Sequence, residues 1–107
     1  MKNVIFISPN FPTNYWQFCR ELKNNGMNVL GIGDQPYHEL TQELKNSLDE
    51  YYKVDSLENE DQVYRAVAFF IFKHGRIDWL ESNNEYWLER DAKLRTDFNI
   101  TTGFHTE

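Results

Sequence analysis

Apolar residues along this chain gather in four short, nearly unbroken runs. Between the runs they recur every three or four positions instead. "NVIFIS" at 3–8 and "MNVLGIG" at 27–33 are apolar on both faces, as strands buried in a parallel sheet are. "EYYKV" at 50–54 is a shorter strand whose Glu50 and Lys53 suit an exposed edge, and "IDWLE" at 77–81 is a fourth. Tyr15, Phe18, Cys19 and Leu22 stand at helical spacing and predict a helix over 14–25, with Asn14 and Gln17 as a capping pair and Gly26 as its stop. Leu40, Leu44 and Leu48 mark a weaker helix after the turn "DQPYHE". Asn59 with Gln62 opens a third helix that runs through His74 and ends at Gly75, its apolar stripe being Val63, Ala66, Val67, Phe70 and Ile71. A fourth helix is expected over 83–97, supported by the i,i+4 pairs Glu89–Lys93 and Asp91–Arg95.

Strict β-α alternation with short connections predicts a Rossmann-like three-layer α/β/α sandwich on a four-stranded parallel sheet. The order 3-2-1-4 follows from strands 1 and 2 being the most apolar and strand 3 the least. Ligands of such sheets collect at the carboxyl ends of the strands. That rim is expected from 8–13, 33–37, 54–57 and 81–85. Its substrate-cleft candidates are Asn10, Phe11, Pro12, Gly33, Asp34, Gln35, Glu81, Ser82, Asn83, Asn84 and Glu85. Ser82 and Glu85 also form the S-x-x-E spacing of a capping box, in which hydroxyl and carboxylate each accept from the other residue's backbone N–H. Asn83 and Asn84 are mediocre helix formers, so polar contacts to a ligand or a neighbouring domain would explain them.

Composition narrows the chemistry. The 107 residues fit one domain, with 40% hydrophobic and 26% charged residues, which disfavours disorder. The net charge of −6, with no lysine or arginine run, argues against nucleic acid. No apolar run approaches the length of a membrane span, and a single cysteine, Cys19, admits no internal disulfide, so a cytoplasmic protein is the simplest expectation. Cys19 reads as a small core residue. His38, His74 and His105 show no ligand spacing, so no metal site is assigned, and His74 suits the carboxyl end of its helix. "GIGD" at 31–34 imitates a dinucleotide fingerprint but follows the second strand, whereas the first runs into "SPNFPTN" without a glycine. Nicotinamide dinucleotide binding is therefore disfavoured on sequence. A phosphoacceptor receiver is disfavoured too, because strand 1 ends in Ser8 rather than an acidic cluster.

Aromatics at 16% exceed what the core needs, and Phe69 and Phe72 fall outside the stripe of the third helix. Both are interface candidates, for another domain or another chain, a homo-oligomer included.

"FISPNFPTNYWQFCRELKNNGMNVLGIGD", "YYKVDSL" and above all "ESNNEYWLERDAKLRTDFNITTG" resemble the N-terminal, pre-ATP-grasp portion of a family of ATP-grasp carboxylate ligases. They are similar, more distantly, to the first domain of biotin carboxylase and carbamoyl phosphate synthetase. The resemblance implies that 1–107 is one domain of a longer ligase, with 99–107 beginning the linker to an ATP-grasp domain. It further implies ATP and Mg²⁺ in the whole protein, a small carboxylate substrate passing through an acylphosphate, and no catalytic residue or cofactor in this portion. Glu85 stands where that family keeps a glutamate at the start of the fourth helix. The alternative reading is a free-standing β/α module that takes a small ligand or a protein partner at the strand ends.

Overall fold

The computed structural model describes residues 2–8, 16–82 and 88–100. In chain order the elements are β1 (Asn3–Ile7), α1 (Trp16–Asn24), β2 (Asn28–Gly33), a 3₁₀ turn (Tyr37–Glu39), α2 (Gln42–Ser47), β3 (Glu50–Lys53), α3 (Glu60–His74), β4 (Trp79–Ser82) and α4 (Leu88–Asp97). The four strands pair in parallel in the order β3-β2-β1-β4. Architecture, direction and order are those expected from the hydrophobic pattern. β1 lies between β2 and β4, and all five of its residues are buried. That central place is why both its faces had to be apolar.

Alternation along β1 divides the core in two. Val4 and Phe6 face α1 and α2, packing with Cys19, Leu22, Val29, Leu40, Leu44 and Leu48. Ile5 and Ile7 face the other side, with Leu30, Ile32, Leu80, Leu94 and the α3 residues Val63, Ala66, Val67 and Phe70. Cys19 is fully buried, and burial pushes its thiol up to about 12. It is a core residue. The core also reaches Ile100, inside the segment read as tail: Asn99 turns through the left-handed region (φ 57°) and the Ile100 N–H donates to the Arg95 carbonyl.

Two polar details depart from the sequence expectation. Asn59 does cap α3, its side chain accepting from the Gln62 N–H, but Gln62 does not return the bond. Its amide exchanges two hydrogen bonds with Asp55, the residue leading out of β3. More consequential is α4. Asp91 and Arg95 were expected to support the helix as an i,i+4 pair, yet both are buried and bond elsewhere. The Ser82 hydroxyl and N–H donate to Asp91 Oδ2, the Arg95 guanidinium donates to the Leu80 carbonyl, and that of Arg90 to the Leu57 carbonyl. Asp91, Leu94, Arg95 and Phe98 are spaced i, i+3, i+4 and i+7, so they share one inward face. Among the described residues no ion pair joins Glu89 to Lys93, and the Lys93 ammonium lies over the Tyr64 ring.

At the amino ends of the strands Asn3, Asn28, Glu50 and Asp78 form a hydrogen-bonded seam. The Asn3 side chain donates to the His74 and Arg76 carbonyls, and its own N–H donates to Asp78. The Asn28 amide donates to Asn3 Oδ1 and lies 3.1 Å from His74 Nδ1. His74 Nε2 is in turn 2.8 Å from Glu50. His74 thus closes α3 as expected, with a carboxylate partner besides the helix end.

Candidate functional site

Because all four strands run one way, their carboxyl ends meet along one edge. Ile7 is in register with Ile32 and Ser82, and Gly33 with Lys53. Ser8, Asp34, Val54 and Ser82 therefore lie along one edge despite their separation in sequence. Glu81, Ser82, Gly33, Asp34 and Gln35 stand on that edge as the sequence placed them. Asn10, Phe11, Pro12, Asn83, Asn84 and Glu85 lie outside the described residues, so their part in a rim, and the Glu85 half of the capping box, rest on sequence.

Ser8 leaves β1 in the left-handed region (φ 61°), while its N–H donates to the Ile32 carbonyl. A side chain there costs about 1 kcal/mol relative to ordinary backbone. Glycine would meet that turn freely, and it is the turn that the first glycine of a dinucleotide fingerprint makes. The chain makes it with serine.

The turn after β2 is held by an aromatic ring. Tyr51 lies along the sheet with its hydroxyl donating to the Gln35 carbonyl at 2.7 Å. A Cβ on Gly33 would come within 2.5 Å of that hydroxyl, so the ring fits because position 33 is glycine. Burial pushes the Tyr51 phenol up to about 12, and the neighbouring Asp34 carboxylate adds to the rise. Asp34 itself is exposed. Three residues on, Tyr37 is half exposed, its ring 6.1 Å from that of Tyr51 and beneath the Lys45 ammonium. A fixed turn thus presents a carboxylate and an aromatic ring to solvent.

The end of β4 differs. Ser82 is a strand residue, fully buried, and its hydroxyl proton goes to Asp91 at 2.5 Å. Burial raises the Asp91 carboxyl to about 6, with the hydrogen bond from Ser82 and the charges of Arg90 and Arg95 working against it and Glu81 adding to it. Its second oxygen, Oδ1, is buried without a hydrogen-bond partner among the described residues. Glu81 is buried on the opposite face of β4, in register with Phe6. Asp91 and Arg95 were missed as site residues because they read as an i,i+4 pair supporting the helix. Their place on the face of Leu94 and Phe98 was the signal that could have found them. Among the described residues no group of three or more His, Cys, Asp or Glu is placed to hold a metal, and no helix is long and apolar enough to cross a membrane.

No protein-family model and no curated protein matches the sequence. Solved structures do. The chain is similar to Cj0485 dehydrogenase, with a TM-score of 0.61 and 25% identity over 77% of this chain and 32% of that one. It is also similar to an NAD⁺-bound xylitol dehydrogenase (TM-score 0.61, 13% identity, 75% of this chain and 32% of that one). A third is a short-chain type dehydrogenase/reductase from Mycobacterium ulcerans (TM-score 0.60, 18% identity, 90% of this chain and 42% of that one). The chain thus spans about a third of the length of the first two structures it matches. These likenesses carry the fold and correct the family. The ATP-grasp resemblance, and with it the ligase activity, the acylphosphate, the ATP and the Mg²⁺, gives way, since the matching proteins are dehydrogenases. The reason lies in what carried it: β-α alternation is common to both kinds of domain.

Proposed function

We propose that the carboxyl edge of this sheet receives the adenosine half of a nicotinamide dinucleotide, as the cofactor-binding unit of an oxidoreductase. The observation that carries the reading is Asp34, exposed at the end of β2 on a turn fixed by Tyr51. In a Rossmann unit the acidic residue at this point of the chain accepts hydrogen bonds from the ribose hydroxyls. Tyr37 offers the adenine a face to lie against. The left-handed Ser8 gives β1 the sharp exit that the phosphate turn needs, and the neighbour solved with NAD⁺ bound shares the fold. Residues 9–14 contain no glycine, so the fit rests on the adenosine half rather than on close backbone approach to the pyrophosphate. When bound, the cofactor would supply the oxidising or reducing equivalent; this chain's residues bind and orient it. Glycine absence in the first turn weighed against this cofactor on sequence, and the Ser8 conformation removes part of that objection.

Calorimetric titration of the full-length protein with NADH and NADPH tests the proposal. NADH is expected to bind saturably, and NADPH about tenfold or more weaker, because its 2′-phosphate meets the Asp34 carboxylate. Asp34→Ala should weaken NADH about tenfold, the worth of a charge-assisted hydrogen bond, and narrow the preference. Absence of saturable binding, or an Asp34→Ala protein with unchanged affinity, would overturn it.

A further inference from the structure

Among the described residues the exposed large apolar side chains are Tyr37, Phe69 and Phe72. Phe69 and Phe72 belong to α3 and lie outside the stripe that packs on the sheet. Tyr37 stands beside the carboxyl edge instead, and its ring meets that of Tyr51. Tyr51 comes from β3, the strand paired with β2, and its ring packs on the core of the α1 side.

Among the described residues the Asp34 side chain has neither a hydrogen bond nor an ion pair. Its aim is therefore set by the backbone on either side of it. On the near side the Gly33 carbonyl accepts from the Val54 N–H at 2.8 Å. On the far side the Gln35 carbonyl accepts from the Tyr51 hydroxyl at 2.7 Å. The same hydroxyl occupies the space of the side chain that Gly33 lacks, since a Cβ there would lie 2.5 Å from it. One phenol thus touches the residue before Asp34 and the residue after it. Two strands brace the turn, and the carboxylate they aim is spent on neither.

We infer that Tyr51 is the positioning residue for Asp34, so that the choice between an unphosphorylated and a 2′-phosphorylated dinucleotide depends on the Tyr51 hydroxyl. The inference rests on the cofactor reading and adds to it a residue of β3, a strand that supplies nothing to the nucleotide directly. A hydrogen-bonding group has to be held within about 0.5 Å of its working place, whereas charge repulsion acts over several ångströms and survives a small drift. Loosening the turn therefore costs NADH its bonds to Asp34 while a 2′-phosphate is still repelled. The preference narrows from the NADH side.

Calorimetric titration of the full-length protein and its variants with NADH and NADPH is the test. Tyr51→Phe keeps the ring and removes only the bond to Gln35. It is expected to raise the NADH dissociation constant about fivefold and to leave that for NADPH within about twofold. Added to Asp34→Ala it should weaken NADH no further, because the hydroxyl acts through that carboxylate. A second pair of variants checks the packing without any ligand. Gly33→Ala should lower the melting temperature, and Tyr51→Phe on top of it should recover part of the loss, since the remaining ring contacts of the new Cβ are 3.2 Å. If Asp34→Ala weakens NADH but Tyr51→Phe weakens both cofactors equally, or weakens neither, the positioning role is overturned and the cofactor reading stands. Additive losses in the double variant overturn it as well, as does Gly33→Ala without recovery. If Asp34→Ala leaves NADH binding unchanged, the cofactor reading falls and this inference with it.

Discussion

At the amino edge of the sheet Asn3, Asn28, His74 and Glu50 pass hydrogen bonds from one strand start to the next, and each side chain is engaged within the domain. At the carboxyl edge Asp34 is exposed, and Asp91 keeps one buried oxygen without a partner among the described residues. Both edges are made of amides and carboxylates. At one they are consumed in holding strands together, and at the other some capacity is unused. Polarity alone does not mark a site; polarity that the fold leaves unspent does.

The largest expected effect falls on the closed edge. Asn3 is nearly buried, and its amide satisfies two carbonyls, those of His74 and Arg76, while accepting from Asn28. Asn3→Leu would leave those groups without their partners in a part-buried seam. At roughly 1 kcal/mol for each stranded group, the low end of the range for a site that water can partly reach, a loss of about 3 kcal/mol is expected in urea denaturation, with nucleotide binding in the remaining folded protein unchanged. A loss below 1 kcal/mol would show that the seam is not what closes this edge.

The two edges should also answer pH with opposite sign. Burial works to raise Glu50, but hydrogen bonds and charge from Lys73 and His74 more than offset it and hold it below its usual value. Its contribution to stability is present above the usual carboxylate range and is lost as pH falls through its lowered folded value. Asp91 is raised to about 6, so the folded protein binds that proton more tightly than the unfolded chain. Its contribution is full below the unfolded value near 4 and disappears as pH rises to about 6, a loss of about 2–3 kcal/mol. Asp91→Asn should flatten the fall of melting temperature between about pH 4 and 6, whereas Glu50→Gln should flatten the loss on acidification. If Asp91→Asn leaves the pH profile unchanged, the carboxylate is not titrating in the folded protein.

Much of the closed architecture was readable in the chain, and little of the open chemistry. Unbroken apolar runs announced β1 and β2, and their being the most apolar put them at the sheet's centre. Gly26 and Gly75 marked helix ends by an intrinsic property, tolerance of positive φ, which both use. Asp91 and Arg95 misled because i,i+4 spacing fits a surface pair and a buried one equally. Which it is depends on the face α4 turns to the sheet. The Asn3 seam was invisible, since its partners are backbone carbonyls more than 70 residues away. The edge on which a ligand would sit followed from strand direction, but its chemistry did not, because the first turn lacks the glycines by which such a site is usually read.

Ser8 isolates that last difficulty in one residue. Its φ of 61° comes where β1 gives way to the carboxyl edge, a conformation that costs serine about 1 kcal/mol and glycine nothing. Were Ser8 an ordinary closing residue, like those of the amino edge, glycine would only loosen the unfolded chain and stability would fall. Relief of the left-handed strain works the other way, so Ser8→Gly is expected to stabilise by about 0.5 kcal/mol in urea denaturation. The same change removes a Cβ and a hydroxyl from the proposed phosphate turn, so NADH affinity should hold or rise. A destabilised Ser8→Gly protein would mean that the serine hydroxyl is engaged in the fold, and would move Ser8 from the open edge to the side of Asn3.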